Sequence, residues 1–257
     1  MLSLPASLDP VVVIGVMLVF LVGGFIKGAV GFGLPLTTMA ILPLLVPVPA
    51  ALAITVLVLL ATNVTQFVQM RQMGPTLRRF WPVLGGIFLG VPVGTAFVSG
   101  MDDTVLLLSL GVFVVFFTLF NVLVPPFRIQ PRAENPLGWL TGILAGVLGA
   151  ITTASGPFLV VYLMGLDIER RTFVSALSLF FLLLAILISG AFILVGIMDR
   201  ERILLAAFAL PTALVGMLAG NWLGERLPAR GFRTAVLIGL CILGLNLVWQ
   251  GLEAITG

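Results

Sequence analysis

The chain of 257 residues contains no histidine and a single cysteine, Cys241. The absence of histidine removes most haem and zinc ligation and any Ser-His nucleophilic pair. One cysteine allows neither an internal disulfide nor a multi-cysteine metal cluster. Charge is also scarce: Asp, Glu, Lys and Arg together make up 9% of the residues. The acids Asp9, Asp102, Asp103, Glu134, Asp167, Glu169, Asp199, Glu201, Glu225 and Glu253 all fall in loops or near the ends of apolar runs. Paired intramembrane carboxylates, an acid-lined cation path and a buried carboxylate proton relay are therefore not visible. No cofactor, no metal and no enzymatic activity are expected.

What remains is apolar. Hydrophobic residues make up 60% of the chain, and the mean hydropathy is +1.26. A water-soluble fold could not bury that much apolar surface, whereas spans of about 20 residues crossing a ~30 Å hydrocarbon core account for it. Ten-residue alternating segments, the mark of a transmembrane barrel, are not visible. The chain reads as an all-α polytopic membrane protein whose first partner is the lipid bilayer. Its net charge of +3 comes from cations in short loops and is not a nucleic-acid signal. The opening MLSLPASLDP lacks a basic n-region, so no cleavable signal peptide is expected.

Two small-residue phrases recur. Gly24, Gly28 and Gly31 precede Gly33-Leu34-Pro35; 118 positions later Gly142, Gly146 and Gly149 precede Gly156-Pro157. Gly86, Gly90 and Gly94 recur 130 positions later as Gly216, Gly220 and Gly224. Either triplet alone is ordinary for packed membrane helices. Two phrases in the same order, in halves of similar length, indicate duplication. Apolar runs fall near 11–33, 34–47, 50–70, 81–98, 104–124, 137–151, 156–165, 171–198, 201–223 and 233–252. Runs 34–47 and 156–165 are too short to span comfortably. The stretches 11–47 and 137–165 are therefore expected as broken-helix hairpins that return to the side they started from. Six full spans complete the fold.

Basic residues test that topology. With the loop of Arg71, Arg78 and Arg79 cytoplasmic, the hairpins place Arg128, Arg132, Arg170, Arg171, Arg226, Arg230 and Arg233 on the same side. Ten of the thirteen cations are then internal, as the positive-inside rule favours, and both termini are extracytoplasmic. A first repeat is expected over 1–124 and a cytoplasmic linker over 125–136. A second repeat over 137–257 would be inserted upside down, so the hairpins approach the midplane from opposite faces. Trp81, Trp139, Trp222 and Trp249 suit an aromatic belt.

Paired helix breaks are the best sequence-level pointer to a transporter site. A helix restarting inside a membrane presents free N–H groups and a positive dipole end to an anion. The segment Thr152-Thr153-Ala154-Ser155-Gly156-Pro157 adds three hydroxyls and a first-turn proline; these hydroxyls either bind an anion or cap their own helix. Lys27 is the one charge placed well inside a span, at a cost of about 2.5–3.5 kcal/mol on insertion scales. It either meets substrate or a gate, or snorkels to an interface; its repeat-mate is Ala145. Asn63, with Gln66 and Gln69 on successive turns, is a further candidate.

At these residues the chain resembles the sulfite exporter TauE/SafE family, also called the toluene sulfonate uptake permease family. The resemblance rests on GFIKGAVGFGLPL and its echo GVLGAITTASGPFLVVYLMG, followed by the basic turn at Glu169-Arg170-Arg171, and extends over essentially the whole chain. It implies a multi-pass transporter of the cytoplasmic (inner) membrane for small sulfur-containing anions such as sulfite, thiosulfate or organosulfonates. Carried over residue by residue, the matching positions are Gly28, Gly31, Gly33 and Pro35, then Gly149, Ser155, Gly156 and Pro157. Lys27, Asn63, Thr152 and Thr153 join them as candidates from the residues themselves. An anion channel of the same architecture and a non-transporting membrane scaffold are the alternatives, and the glycine faces serve either internal packing or a homodimer.

Overall fold

The structure, a computed structural model, describes residues 9–30, 33–68, 73–123, 128–153, 155–224, 242 and 244–253. Every regular element among them is helical. In order these are α1 (Pro10–Val30), α2 (Leu34–Ile41) with a 3-10 turn (Leu42–Leu44), α3 (Val48–Val68), α4 (Met73–Gly100), α5 (Asp103–Leu123), α6 (Pro131–Thr152), α7 (Gly156–Gly165), α8 (Arg170–Leu194) and α9 (Arg200–Gly224). Residues 244–253 are helical as well.

Five stretches are long and apolar enough to cross a membrane: Pro10–Ala29, Gly74–Gly100, Pro131–Thr152, Ser175–Leu194 and Arg200–Leu223. Leu34–Leu44, Val48–Val64 and Asp103–Phe116 are shorter apolar helices. Large apolar side chains such as Ile14, Phe88, Val215 and Leu218 are exposed around the outside. In water such a surface would be a liability; against lipid tails it is the expected one. The chain is an all-α polytopic membrane protein. Half of the expected run 233–252 lies outside the described residues, as do Arg226, Arg230, Arg233 and Cys241.

Two helix boundaries differ from expectation. Arg78 and Arg79, expected in a loop, belong to the first turns of α4, below a kink at Phe80 (φ −100°, ψ 18°). Pro82, two residues on, removes a backbone donor there and lets the helix bend rather than end. Helix α6 begins at Pro131, inside the stretch expected as linker. Proline is preorganised for a first turn, and Glu134 sits at the positive end of the helix. Arg79 and Glu134 then join the two helices through paired bonds of 2.8 and 3.2 Å.

The glycines determine which helices meet. A Cβ at Gly24 or Gly28 of α1 would run into the carbonyl oxygens of Ala213 and Met217 on α9, and one at Gly216 or Gly220 into those of Leu21 and Phe25. The same contact recurs between α4 and α6. Gly90 and Gly94 face the carbonyls of Ile143 and Val147, while Gly142 and Gly146 face those of Val83 and Ile87. The partners are related by the same offsets of 118 and 130 positions that relate the glycines. Residue numbers rise together across each interface, so α1 lies parallel to α9 and α4 parallel to α6. Backbones this close leave no room for a side chain, and van der Waals contact between them replaces hydrophobic burial as the cohesive force in lipid. These glycine faces are occupied inside the chain; they are not open for a homodimer.

Each half also folds back on itself. A Cβ at Gly33, Gly23 or Gly15 would lie 3.0, 3.3 and 3.0 Å from side-chain atoms of Ile26, Thr38 and Leu45, so α2 and its 3-10 turn run antiparallel along α1. Helix α7 returns along α6: a Cβ at Gly149 would be 3.3 Å from Ser155 Oγ, and one at Gly138 would be 3.1 Å from the Tyr162 hydroxyl. Helices α3 and α8 pack on each other between the two glycine-backed pairs.

Candidate functional site

A cavity of about 590 Å³, counting its mouth, lies where the two helix breaks meet. Lys27, Gly33, Pro35 and Leu36 line it from the first break, and Thr153, Ser155 and Gly156 from the second. Helix α3 contributes Val56, Leu59 and Asn63; α8 contributes Phe181, Leu184, Ala185 and Ile188.

The first break turns on Gly33, whose φ of +117° is a left-handed conformation that glycine adopts at no steric cost. Its carbonyl accepts the backbone N–H of Thr37 at 2.9 Å, and Pro35 occupies the first turn of α2. The second break is built differently. Helix α6 ends on Thr153, a β-branched residue held at φ +54°. Such a conformation costs about 1–3 kcal/mol and persists only when the surroundings over-determine it. Here the Thr153 N–H donates to the Gly149 carbonyl at 2.8 Å, and the Thr153 hydroxyl donates to the Thr152 carbonyl at 2.7 Å.

The hydroxyls expected to serve an anion divide. Thr152 donates back to the Leu148 carbonyl at 2.7 Å and does not line the cavity. Thr153 lines it with its hydroxyl already committed. Ser155 lies at the N-terminus of α7 without a side-chain capping bond and is only 2% exposed. Gly149 stands behind Ser155, and a Cβ at Gly156 would lie 3.2 Å from the Phe181 ring. The glycines therefore leave room for Ser155 and for the cavity wall. Gly28 faces α9 instead of the cavity. Gly31 and the Pro157 side chain lie outside the described residues, as do the side chains of Gln66 and Gln69.

Lys27 does not snorkel. It is buried, and its ammonium donates to Thr62 Oγ1 at 3.0 Å and to Asn63 Oδ1 at 2.9 Å. Among the described residues the ion pairs are Arg79–Glu134, Arg128–Asp167 and Arg202–Asp199; no carboxylate pairs with Lys27. A lysine ammonium can only donate, so it fixes the Asn63 amide with oxygen toward the lysine. The other end, Asn63 Nδ2, is then a buried donor with no partner. A buried cation without a counter-ion and a buried amide without an acceptor are each costly in isolation.

Sequence reasoning missed Thr62 and the α8 wall. Thr62 sits beside Asn63 but 35 positions from Lys27, so no local pattern joins them. The wall residues are apolar, as lipid-facing residues are, so the sequence does not tell the two apart.

Paired broken helices around a buried, largely apolar cavity that holds one lysine are an arrangement found in polytopic transporters. A family model described as sulfite exporter TauE/SafE matches residues 16–247, and the chain belongs to that family. No curated protein and no solved structure matches it.

Proposed function

We propose that this protein is a secondary transporter of small sulfur-containing anions, among them sulfite, thiosulfate and organosulfonates, working by alternating access around the cavity between the breaks. The observation that carries this reading is Lys27: a buried cation at the cavity, without a carboxylate partner among the described residues, beside Asn63, whose Nδ2 has no hydrogen-bond partner among them. An oxyanion supplies one negative charge and several acceptor oxygens, which answer both deficits. Ser155, Gly33, Pro35 and Gly156 complete the site, and the N-termini of α2 and α7 add free N–H groups and positive dipole ends. Gly28, Gly149 and Thr152 act behind the site, holding the helices that carry it; Gly31 and Pro157 belong to the two breaks.

The same contacts support two inverted repeats, the first over 1–124 and the second opening with α6 at Pro131. Short connections reverse the chain at each step, so α6 runs opposite to α1. The parallel pairs α1–α9 and α4–α6 are the arrangement that this alternation requires. The arginine distribution favours both termini outside the cytoplasmic membrane.

Substrate-gradient-driven uptake of labelled sulfite, thiosulfate and methanesulfonate into proteoliposomes tests the reading. Saturable uptake of at least one, lost in Lys27→Ala and reduced in Ser155→Ala with both variants correctly folded, is the expected result. Absence of flux under any gradient or potential would sink it, and continuous conductance far above carrier turnover would replace the carrier with a channel.

A further inference from the structure

One face of α8 bears directly on the second break. Phe181, Leu184, Ala185 and Ile188 stand at i, i+3, i+4 and i+7 of the helix, and all four line the cavity. A Cβ at Gly156 would lie 3.2 Å from Phe181 Cζ and 3.7 Å from its Cε1. One at Gly149 would lie 3.2 Å from Leu184 Cδ2 and 3.3 Å from Ser155 Oγ. The tip of the Phe181 ring therefore rests against the first turn of α7, one residue from Ser155. It is the one aromatic ring among the described lining residues.

Contacts outside the cavity fix how α8 presents that face. Phe180 is fully buried and meets Phe80 of α4 edge to face, with ring centres 5.7 Å apart at 90°. Nearer the start of α8, Ser175 Oγ lies 3.2 Å from Thr76 Oγ1 of α4. Turning α8 to withdraw Phe181 would break both contacts, so the ring is a fixed wall of the cavity.

We propose that Phe181 is the specificity-determining residue of the site: its ring limits the size of the group that a sulfur oxyanion can carry. The proposal rests on the transporter reading above and deepens it. Organosulfonates share one anionic head and differ only in the substituent on sulfur. A head held at Ser155 and Lys27 must place that substituent in the remaining space, and the Phe181 ring occupies the part nearest the α7 N-terminus. Close-packed walls yield little to added volume. Gly156 is the other half of the device. With no side chain there, the ring sits down against the α7 backbone, and a methyl group would push it into the cavity.

The test is initial uptake of labelled sulfite, methanesulfonate, ethanesulfonate and benzenesulfonate into proteoliposomes at one pH, over a range of concentrations. The three sulfonates each carry one charge, so their relative kcat/KM reports size alone. In the wild type kcat/KM is expected to fall from methanesulfonate to benzenesulfonate. Phe181→Ala should raise the benzenesulfonate-to-methanesulfonate ratio by about tenfold or more, and Phe181→Leu should raise it less. Gly156→Ala should lower the ethanesulfonate-to-methanesulfonate ratio. A general loosening of the protein would change these rates together and leave the ratios alone. Benzenesulfonate entering the wild type as well as methanesulfonate, or a ratio unmoved in a folded Phe181 variant, overturns the size limit and leaves the transporter reading standing. So does sulfite flux with no sulfonate carried by the wild type or by either Phe181 variant. No flux of any anion, sulfite included, overturns both. Phe181→Leu and the wild-type series decide the matter if Phe181→Ala fails to fold.

Discussion

The two halves of this molecule share a frame but not a site. In both, glycines at matching offsets press one helix against a helix of the other half, backbone to backbone, and a short helix folds back along the first. At the breaks the likeness stops. The first half brings Lys27 and a glycine at φ +117°; the second brings fully buried Ala145 at the lysine's counterpart, and a threonine held at φ +54°. Packing two helices at the closest approach tolerates almost nothing but glycine, so the frame is constrained twice over. The charge of the site is a single event. Once one half supplies the cation, a second would repel it across the same cavity. The comparison therefore separates what holds the protein together from what it binds.

The frame can be broken in either half, and this is the largest expected effect. Gly90→Leu and its counterpart Gly220→Leu each drive a side chain into a carbonyl oxygen of the facing helix. Both should cost more than about 3 kcal/mol and abolish the monodisperse species in detergent, to the same degree. Gly190, where an added Cβ meets nothing within 4 Å, is the control. Gly190→Ala should leave the protein intact or slightly more stable, by about 0.5–1 kcal/mol. Unequal losses at Gly90 and Gly220 would show that the two interfaces do not carry the fold equally.

Function should break at the lysine alone. Lys27→Gln removes the cavity's charge and with it about 2.5–3.5 kcal/mol of insertion cost. Uptake should fall on the order of 100-fold while thermal stability in detergent is retained. A variant that folds and transports at the wild-type rate would move the site elsewhere.

The two breaks can be exchanged in conformation. Thr153→Gly relieves a left-handed threonine and should raise stability by about 1 kcal/mol. Gly33→Thr places a β-branched side chain at φ +117° with Ile26 Cγ2 only 3.0 Å from the new Cβ, and should lower it by about 1–3 kcal/mol. Thermal unfolding midpoints of both variants check the signs. A loss of transport in Thr153→Gly without loss of stability would show that the strained cap serves the site. The smallest effect belongs to the rim, where Arg79 is 43% exposed in its pair with Glu134. A double-mutant cycle of Arg79→Gln and Glu134→Gln should return a coupling below about 1 kcal/mol.

Much of this was legible in the chain. Composition alone demands lipid, and the glycine phrases are family marks as well as packing marks. That double meaning is also where sequence reasoning stops. Gly28 and Gly149 belong to the same pattern, yet Gly28 meets α9 and Gly149 stands behind Ser155. Spacing reports that a small residue is needed and not what approaches it. The hydroxyls show the same ambiguity: Thr152, Thr153 and Ser155 are adjacent in sequence, but two of them turn back to backbone carbonyls. The start of α4 was missed because the kink at Phe80 looks, in one dimension, like a helix end.

Hydropathy and residue type by themselves determine the helical membrane class, the duplicated phrases and the presence of one deep cation, because these depend only on what lipid will accept. The destination of that cation is a matter of three dimensions. A lysine stem is long enough to reach an interface or a cavity, and only the placement of Thr62 and Asn63 on α3 decides between them. The tertiary structure holds Lys27 at the cavity by giving it two acceptors, Thr62 and Asn63, and no counter-ion among the described residues.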